Sequence, residues 1–121
     1  MTKIIIAEDE HVLANVFKRI ITKCGHEVIG IAYTEKEILE QCSSLHPDIV
    51  FLDISIESKY SGIEICKTIK KLYPEIKVYF LTAYSKDVFK NELLNVSYDG
   101  YINKLDFSEK IPEILTCIKN D

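Results

Sequence analysis

The chain has 121 residues, 47% of them hydrophobic, which suits one compact domain over 1–121 around a continuous apolar core and leaves no room for a second. Its 15 basic and 19 acidic side chains give a net charge of −4, and no run of Lys or Arg offers a footprint, so direct binding to nucleic acid or an anionic membrane is not expected. Met1 leads at once to Lys3 and then only to Ile4 through Ala7 before acidic residues begin, which is neither a signal-peptide core nor a membrane span, so a cytoplasmic location is expected.

Ile4 to Ala7 is apolar without alternation, as expected of a strand covered on both faces. Val12, Leu13, Val16, Phe17, Ile20, Ile21 and Cys24 then recur at helical spacing and predict a first helix, closed by Gly25 as a left-handed cap. Val28 to Ala32 reads as the second strand. Thr34 through Glu37 forms a capping box opening a second helix, whose buried face is Ile38, Leu39, Cys42 and Leu45 and whose end precedes Pro47. Ile49 to Leu52 is the third strand. A third helix after Gly62 buries Ile65, Cys66, Ile69 and Leu72 and stops before Pro74. Val78 to Leu81 is the fourth strand.

Lys86 to Asn95 carries a partial stripe of Val88, Phe89, Leu93 and Leu94 and predicts a fourth helix. Tyr101 and Ile102 mark the fifth strand, and Ser108 caps a last helix through Ile111, Ile114, Leu115 and Ile118, with Pro112 in its first turn. Cys24, Cys42, Cys66 and Cys117 lack C-x-x-C spacing and read as reduced thiols, not as a zinc or disulfide set. His11, His26 and His46 lack ligand spacing. His26 and His46 fall in helix-to-strand turns, and His11 at most lines a cleft's rim.

Five strand-helix units in alternation predict a doubly wound α/β fold, a five-stranded parallel sheet with helices on both faces. Ligands in that architecture bind beyond the carboxyl ends of the strands. There the sequence sets Glu8 and Asp9 after the first strand, Asp53 after the third, Thr82 after the fourth and Lys104 after the fifth. Carboxylates gathered in one cleft repel one another unless a cation is present, and hard oxygen ligands suit Mg²⁺, whose shell phosphate oxygens often complete. Taken singly, each residue has a plainer reading. Glu8, Asp9 and Glu10 can serve a helix dipole, Asp53 a turn, Thr82 a helix cap, Lys104 a solvated surface and Tyr101 a half-buried strand position. Those readings do not account for the joint order.

That ordered set resembles bacterial response-regulator receiver domains of the chemotaxis-regulator type over nearly the whole chain. The resemblance implies the flavodoxin-like strand order 2-1-3-4-5 and a signalling switch that is not a conventional enzyme. It makes Asp53 the phosphoacceptor, with Mg²⁺, or Mn²⁺ in its place, held by Glu8, Asp9, Asp53 and the backbone carbonyl of Ser55. Thr82 and Lys104 complete the site, Thr82 and Tyr101 act as the switch pair, and Ser55 and Tyr84 tune dephosphorylation. The implied partners are a sensor histidine kinase or histidine phosphotransfer protein, with output through the face of the fourth helix, fifth strand and fifth helix, and scope for a phosphorylation-dependent homodimer. With no output domain in the chain, it is either a free-standing receiver or part of a longer regulator.

Three positions depart from the family pattern. Glu8 replaces the commoner Asp, the loop from Ile54 to Gly62 lacks Met-Pro and is about one residue longer, and Leu105 replaces the Pro after Lys104, so a trans peptide is expected there. Two rivals stand beside this reading. An aspartyl-phosphate hydrolase generally needs a second Asp where Ser55 stands, and a receiver-fold binding module that has lost phosphorylation has no use for the retained acidic set.

Overall fold

The computed structural model describes residues 2–119, the last three by backbone alone. The chain alternates β1 (Lys3–Ala7), α1 (His11–Lys23), β2 (Glu27–Ala32), α2 (Glu35–Leu45), β3 (Ile49–Asp53), α3 (Ser61–Leu72), β4 (Lys77–Thr82), β5 (Gly100–Asn103) and α4 (Phe107–Lys119). All strand pairings are parallel and the order is β2-β1-β3-β4-β5. This is the expected doubly wound sheet, with α1 and α4 covering one face and α2 and α3 the other. No helix among the described residues is long and apolar enough to cross a membrane.

The central strands read as continuous apolar runs because both of their faces are covered. Ile5, Ala7, Val50 and Leu52 pack toward Ile38, Cys42, Ile65 and Ile69, while Ile4, Ile6, Ile49 and Phe51 pack toward Phe17, Ile21, Phe107 and Ile111. All five residues of β3 are buried, so Asp53 ends the most enclosed strand.

Local chemistry sets most of the boundaries. Gly25 has φ +85°, and the Gly25 and His26 amides donate to the Thr22 and Ile21 carbonyls, the paired bonds of a Schellman ending for α1. At the start of α2 the Glu37 amide donates to Thr34 Oγ1 at 3.2 Å, while Glu37 Oε1 accepts the amide of Tyr33, one residue earlier than a standard capping box. His46, at φ 49°, closes α2 just before Pro47.

Several sequence expectations are corrected. Residues 86–95 form no α-helix: Lys86–Phe89 is a 3₁₀ turn, followed by further turns. Only Phe89 and Leu93 of the predicted stripe are buried, and Val88 and Leu94 face solvent, so too little packing offsets the cost of helix nucleation. Ser108 does not cap the last helix. A 3₁₀ turn over Lys104–Asp106, capped by Asn103, leads straight into α4 and moves Pro112 from the first turn to the second. Val12, Val16, Leu45 and Leu72, expected on buried faces, are exposed. In α1 the buried stripe centres on Ala14, Phe17 and Ile21 instead.

The strap from β4 to β5 is tied at its far end. The Cys66 thiol donates to the Ser97 carbonyl at 3.4 Å, and Lys70 Nζ lies 2.6 Å from Asp99 Oδ2, which also accepts the Val78 amide. Cys24, Cys42 and Cys66 are free thiols, and burial pushes Cys42 up to about 11 and Cys66 up to about 12. The side chains of Cys117 and Ile118 lie outside the described residues.

Candidate functional site

The parallel register brings the ends of β1, β3, β4 and β5 to one edge. The Glu8 amide still donates to the Ala32 carbonyl at 3.1 Å, so this residue extends β1 and its side chain is turned inward, fully buried. Asp53 stands opposite Leu81 in the β3–β4 ladder, and Thr82 opposite Asn103 in the next. Lys104 follows as the first residue after β5, with a trans peptide to Leu105, whose amide is fixed by Asn103 Oδ1 at 2.9 Å.

Lys104 is the hinge of the cluster. Its Nζ lies 2.8 Å from Glu8 Oε2 and donates to Asp53 Oδ2 at 3.3 Å. The other oxygen of Asp53 accepts the Ser55 amide at 2.9 Å, and Glu8 Oε1 accepts the Glu10 amide at 3.3 Å. Asp9 is exposed, and its Oδ2 accepts the Glu57 amide at 3.4 Å. Carboxylate oxygens of Glu8, Asp9 and Asp53 come within 4.8 Å of one another.

Burial pushes the Glu8 carboxyl up to about 7 against the pull of Lys104, and the charge of Asp53 pushes the same way. Asp53 is raised by burial too, with Lys104 and the Ser55 amide opposing. Lys104 loses proton affinity through burial, but its contacts with Glu8 and Asp53 outweigh that loss and leave it raised. Glu8 Oε2 is fully buried and, for all its closeness to Lys104, has no aligned hydrogen-bond partner. A converging set of hard carboxylate oxygens from Glu8, Asp9 and Asp53 fits a divalent cation such as Mg²⁺.

A second line of contacts leads away from the site. Thr82 is buried and its Oγ1 accepts the Tyr84 amide at 3.0 Å, while the Tyr101 hydroxyl donates to the Tyr84 carbonyl at 3.2 Å. Burial raises the Tyr101 hydroxyl, and the neighbouring Thr82 works against that. The Tyr84 side chain is largely exposed and meets Phe89 edge-on. The plainer reading of Asp53 is met as well, since it closes a local turn on the Ser55 amide, whereas Thr82 closes such a turn on the Tyr84 amide and caps no helix, Ser85 being the residue before the next 3₁₀ turn.

His11 stacks on Tyr33 with ring centroids 3.9 Å apart, at the opening of α1. Two positions carry weight that sequence reasoning did not give them. A Cβ at Gly62 would lie 2.4 Å from the Asp53 carbonyl oxygen, and the Gly62 amide donates to the Ile54 carbonyl at 2.7 Å, so glycine alone lets α3 seat beneath the loop. A glycine just before a predicted helix was the available signal. Glu57, at φ 67°, offered none.

Residues 4–116 match the family model described as the response regulator receiver domain. Chemotaxis protein CheY of Thermotoga maritima is 30% identical over 116 residues, covering 96% of each chain. Response regulator protein VraR of Staphylococcus saprophyticus is 28% identical over 120 residues, of which the match spans 98% of this chain and 57% of the relative. A solved CheY-like receiver domain protein from Methanospirillum hungatei superposes with a TM-score of 0.80 at 27% identity, covering 99% of this chain and 98% of that one.

Proposed function

Because this chain belongs to the response regulator receiver domain family, we propose that it is a phosphorylation-dependent signalling switch whose phosphoacceptor is Asp53. The observation that carries the reading is Lys104 Nζ set between Glu8 and Asp53, with Asp9 closing the carboxylate cluster. The donor is a phosphohistidine of a sensor histidine kinase or phosphotransfer protein, or a small acyl phosphate, and the protein works in the cytoplasm.

Glu8, Asp9, Asp53 and the Ser55 carbonyl would hold Mg²⁺, which when bound would neutralise charge on the transferring phosphoryl oxygens. The Ser55 amide holds Asp53 Oδ1, orienting the carboxylate so that one of its oxygens attacks phosphorus. The P–N bond to the donor imidazole breaks as the O–P bond forms, and the imidazole leaves with a proton from solvent. Lys104, already on Asp53 Oδ2, moves its charge to an equatorial oxygen of the new acyl phosphate.

The added charge also draws Thr82 Oγ1 inward, which releases the Tyr84 amide and disturbs the carbonyl on which Tyr101 rests. The altered surface is the strap of residues 83–98 with β5 and α4. Ser55 and Tyr84 tune water access to the acyl phosphate. Ser55 donates its hydroxyl to the Lys59 carbonyl at 3.2 Å and supplies no carboxylic acid, which disfavours a turnover hydrolase.

Incubation with labelled acetyl phosphate and Mg²⁺ tests the reading. The parent should incorporate label and Asp53→Asn should lose at least about a hundredfold, since an amide is no nucleophile for this step. Equal incorporation by Asp53→Asn would rule out Asp53 as acceptor.

A further inference from the structure

Glu57 occupies a left-handed backbone conformation, φ 67°, that a side chain disfavours, in the lengthened loop between β3 and α3. Its two polar ends face different elements. Its carboxylate Oε1 accepts the amide of Glu35, the first residue of α2, which has no partner within the helix. Its own amide donates to Asp9 Oδ2 at 3.4 Å, the one hydrogen bond described for that exposed carboxylate. The two contacts span 22 and 48 positions of sequence.

We propose that Glu57 is a positioning residue for the cation site: anchored on the N-terminus of α2, it holds its strained amide against Asp9 and so pre-sets that carboxylate for a divalent ion. This rests on the reading of Glu8, Asp9 and Asp53 as a Mg²⁺ site. With one Asp9 oxygen fixed by the Glu57 amide, the other is left for the cation and part of the side chain's freedom is already lost before binding. Removing the carboxylate leaves the unfavourable φ without its anchor, so the loop relaxes and Asp9 is freed.

Calorimetric titration with Mg²⁺ alone, and amide exchange of the metal-free protein, provide the test on the parent, Glu57→Ala, Glu57→Gln and Thr34→Ala. Glu57→Ala should bind Mg²⁺ about fivefold more weakly, the scale of one side chain left to be ordered on binding. Its Glu35 and Glu57 amides should lose protection without metal. Glu57→Gln keeps an acceptor for the Glu35 amide and should bind as the parent does. Thr34→Ala removes the other cap of α2 but leaves Glu57 in place, so it should lower stability without changing Mg²⁺ affinity.

Equal affinity in Glu57→Ala and the parent overturns the proposal. So does equal weakening in Thr34→Ala, which would assign the effect to α2 stability, or in Glu57→Gln, which would assign it to charge. A parent that binds no Mg²⁺ removes the site reading itself, and the inference with it.

Discussion

Burying Glu8 sets a carboxylate where its ionised form is poorly solvated, and folding stability falls as that form is populated. Its folded value, about 7, lies above its ordinary value of 4.5, so between these the folded protein holds a proton that the unfolded chain has released. In the metal-free protein this stabilisation is present below about pH 4.5 and is lost as pH rises to about 7, by at most about 3 kcal/mol. Asp53, also raised by burial, adds a slope of the same sign. Urea unfolding at pH 5 and pH 8 should show the fall, Glu8→Gln should flatten it, and Mg²⁺ should recover part of it at pH 8. A Glu8→Gln variant with an undiminished slope would remove Glu8 as its source. At this scale the strand-end residues were legible because each follows an apolar run directly. Glu57 was not, because its partners at Glu35 and Asp9 are joined to it by the fold and by no local spacing.

Elements were legible where packing and capping agree. The capping box before α2 and the glycine after α1 each mark a boundary because the side chain or the φ value directly satisfies a helix end. Residues 86–95 show what happens when a stripe has only two buried anchors. Phe89 and Leu93 join the core cluster that includes the buried face of α3, and the backbone bonds of the segment are mostly of the i to i+3 kind, such as Val88 to Ser85 and Lys90 to Asp87. Amides in this strap should exchange about a hundredfold faster than those of Ile65 to Ile69 in α3, as measured by mass spectrometry or NMR. Comparable protection would mean that the strap is as cooperative as the helices. The start of α4 was misread for a related reason. Asn103 and Ser108 are both competent caps, and the end of β5, not the side chains themselves, decides between them.

For the molecule as a whole, the alternation of apolar strands with amphipathic helices was sufficient to give the architecture, because strands buried on both faces leave few alternatives to a parallel sheet. The strand order came from the likeness to a family and not from periodicity, which says nothing of which strands are neighbours. The same enclosed architecture gives the molecule an internal reporter of its own breathing. Cys42 and Cys66 are fully buried thiols held far above their ordinary range, so a thiol-alkylating reagent near neutral pH can reach them only in states where the fold has opened. Cys42 lies on the buried face of α2, against the sheet, whereas Cys66 on α3 is latched to Ser97 at the end of the strap. In timed alkylation of the native protein, Cys66 should therefore be modified before Cys42, each by the rate at which its own cover lifts. Identical rates would mean that the strap never parts from the body except when everything does.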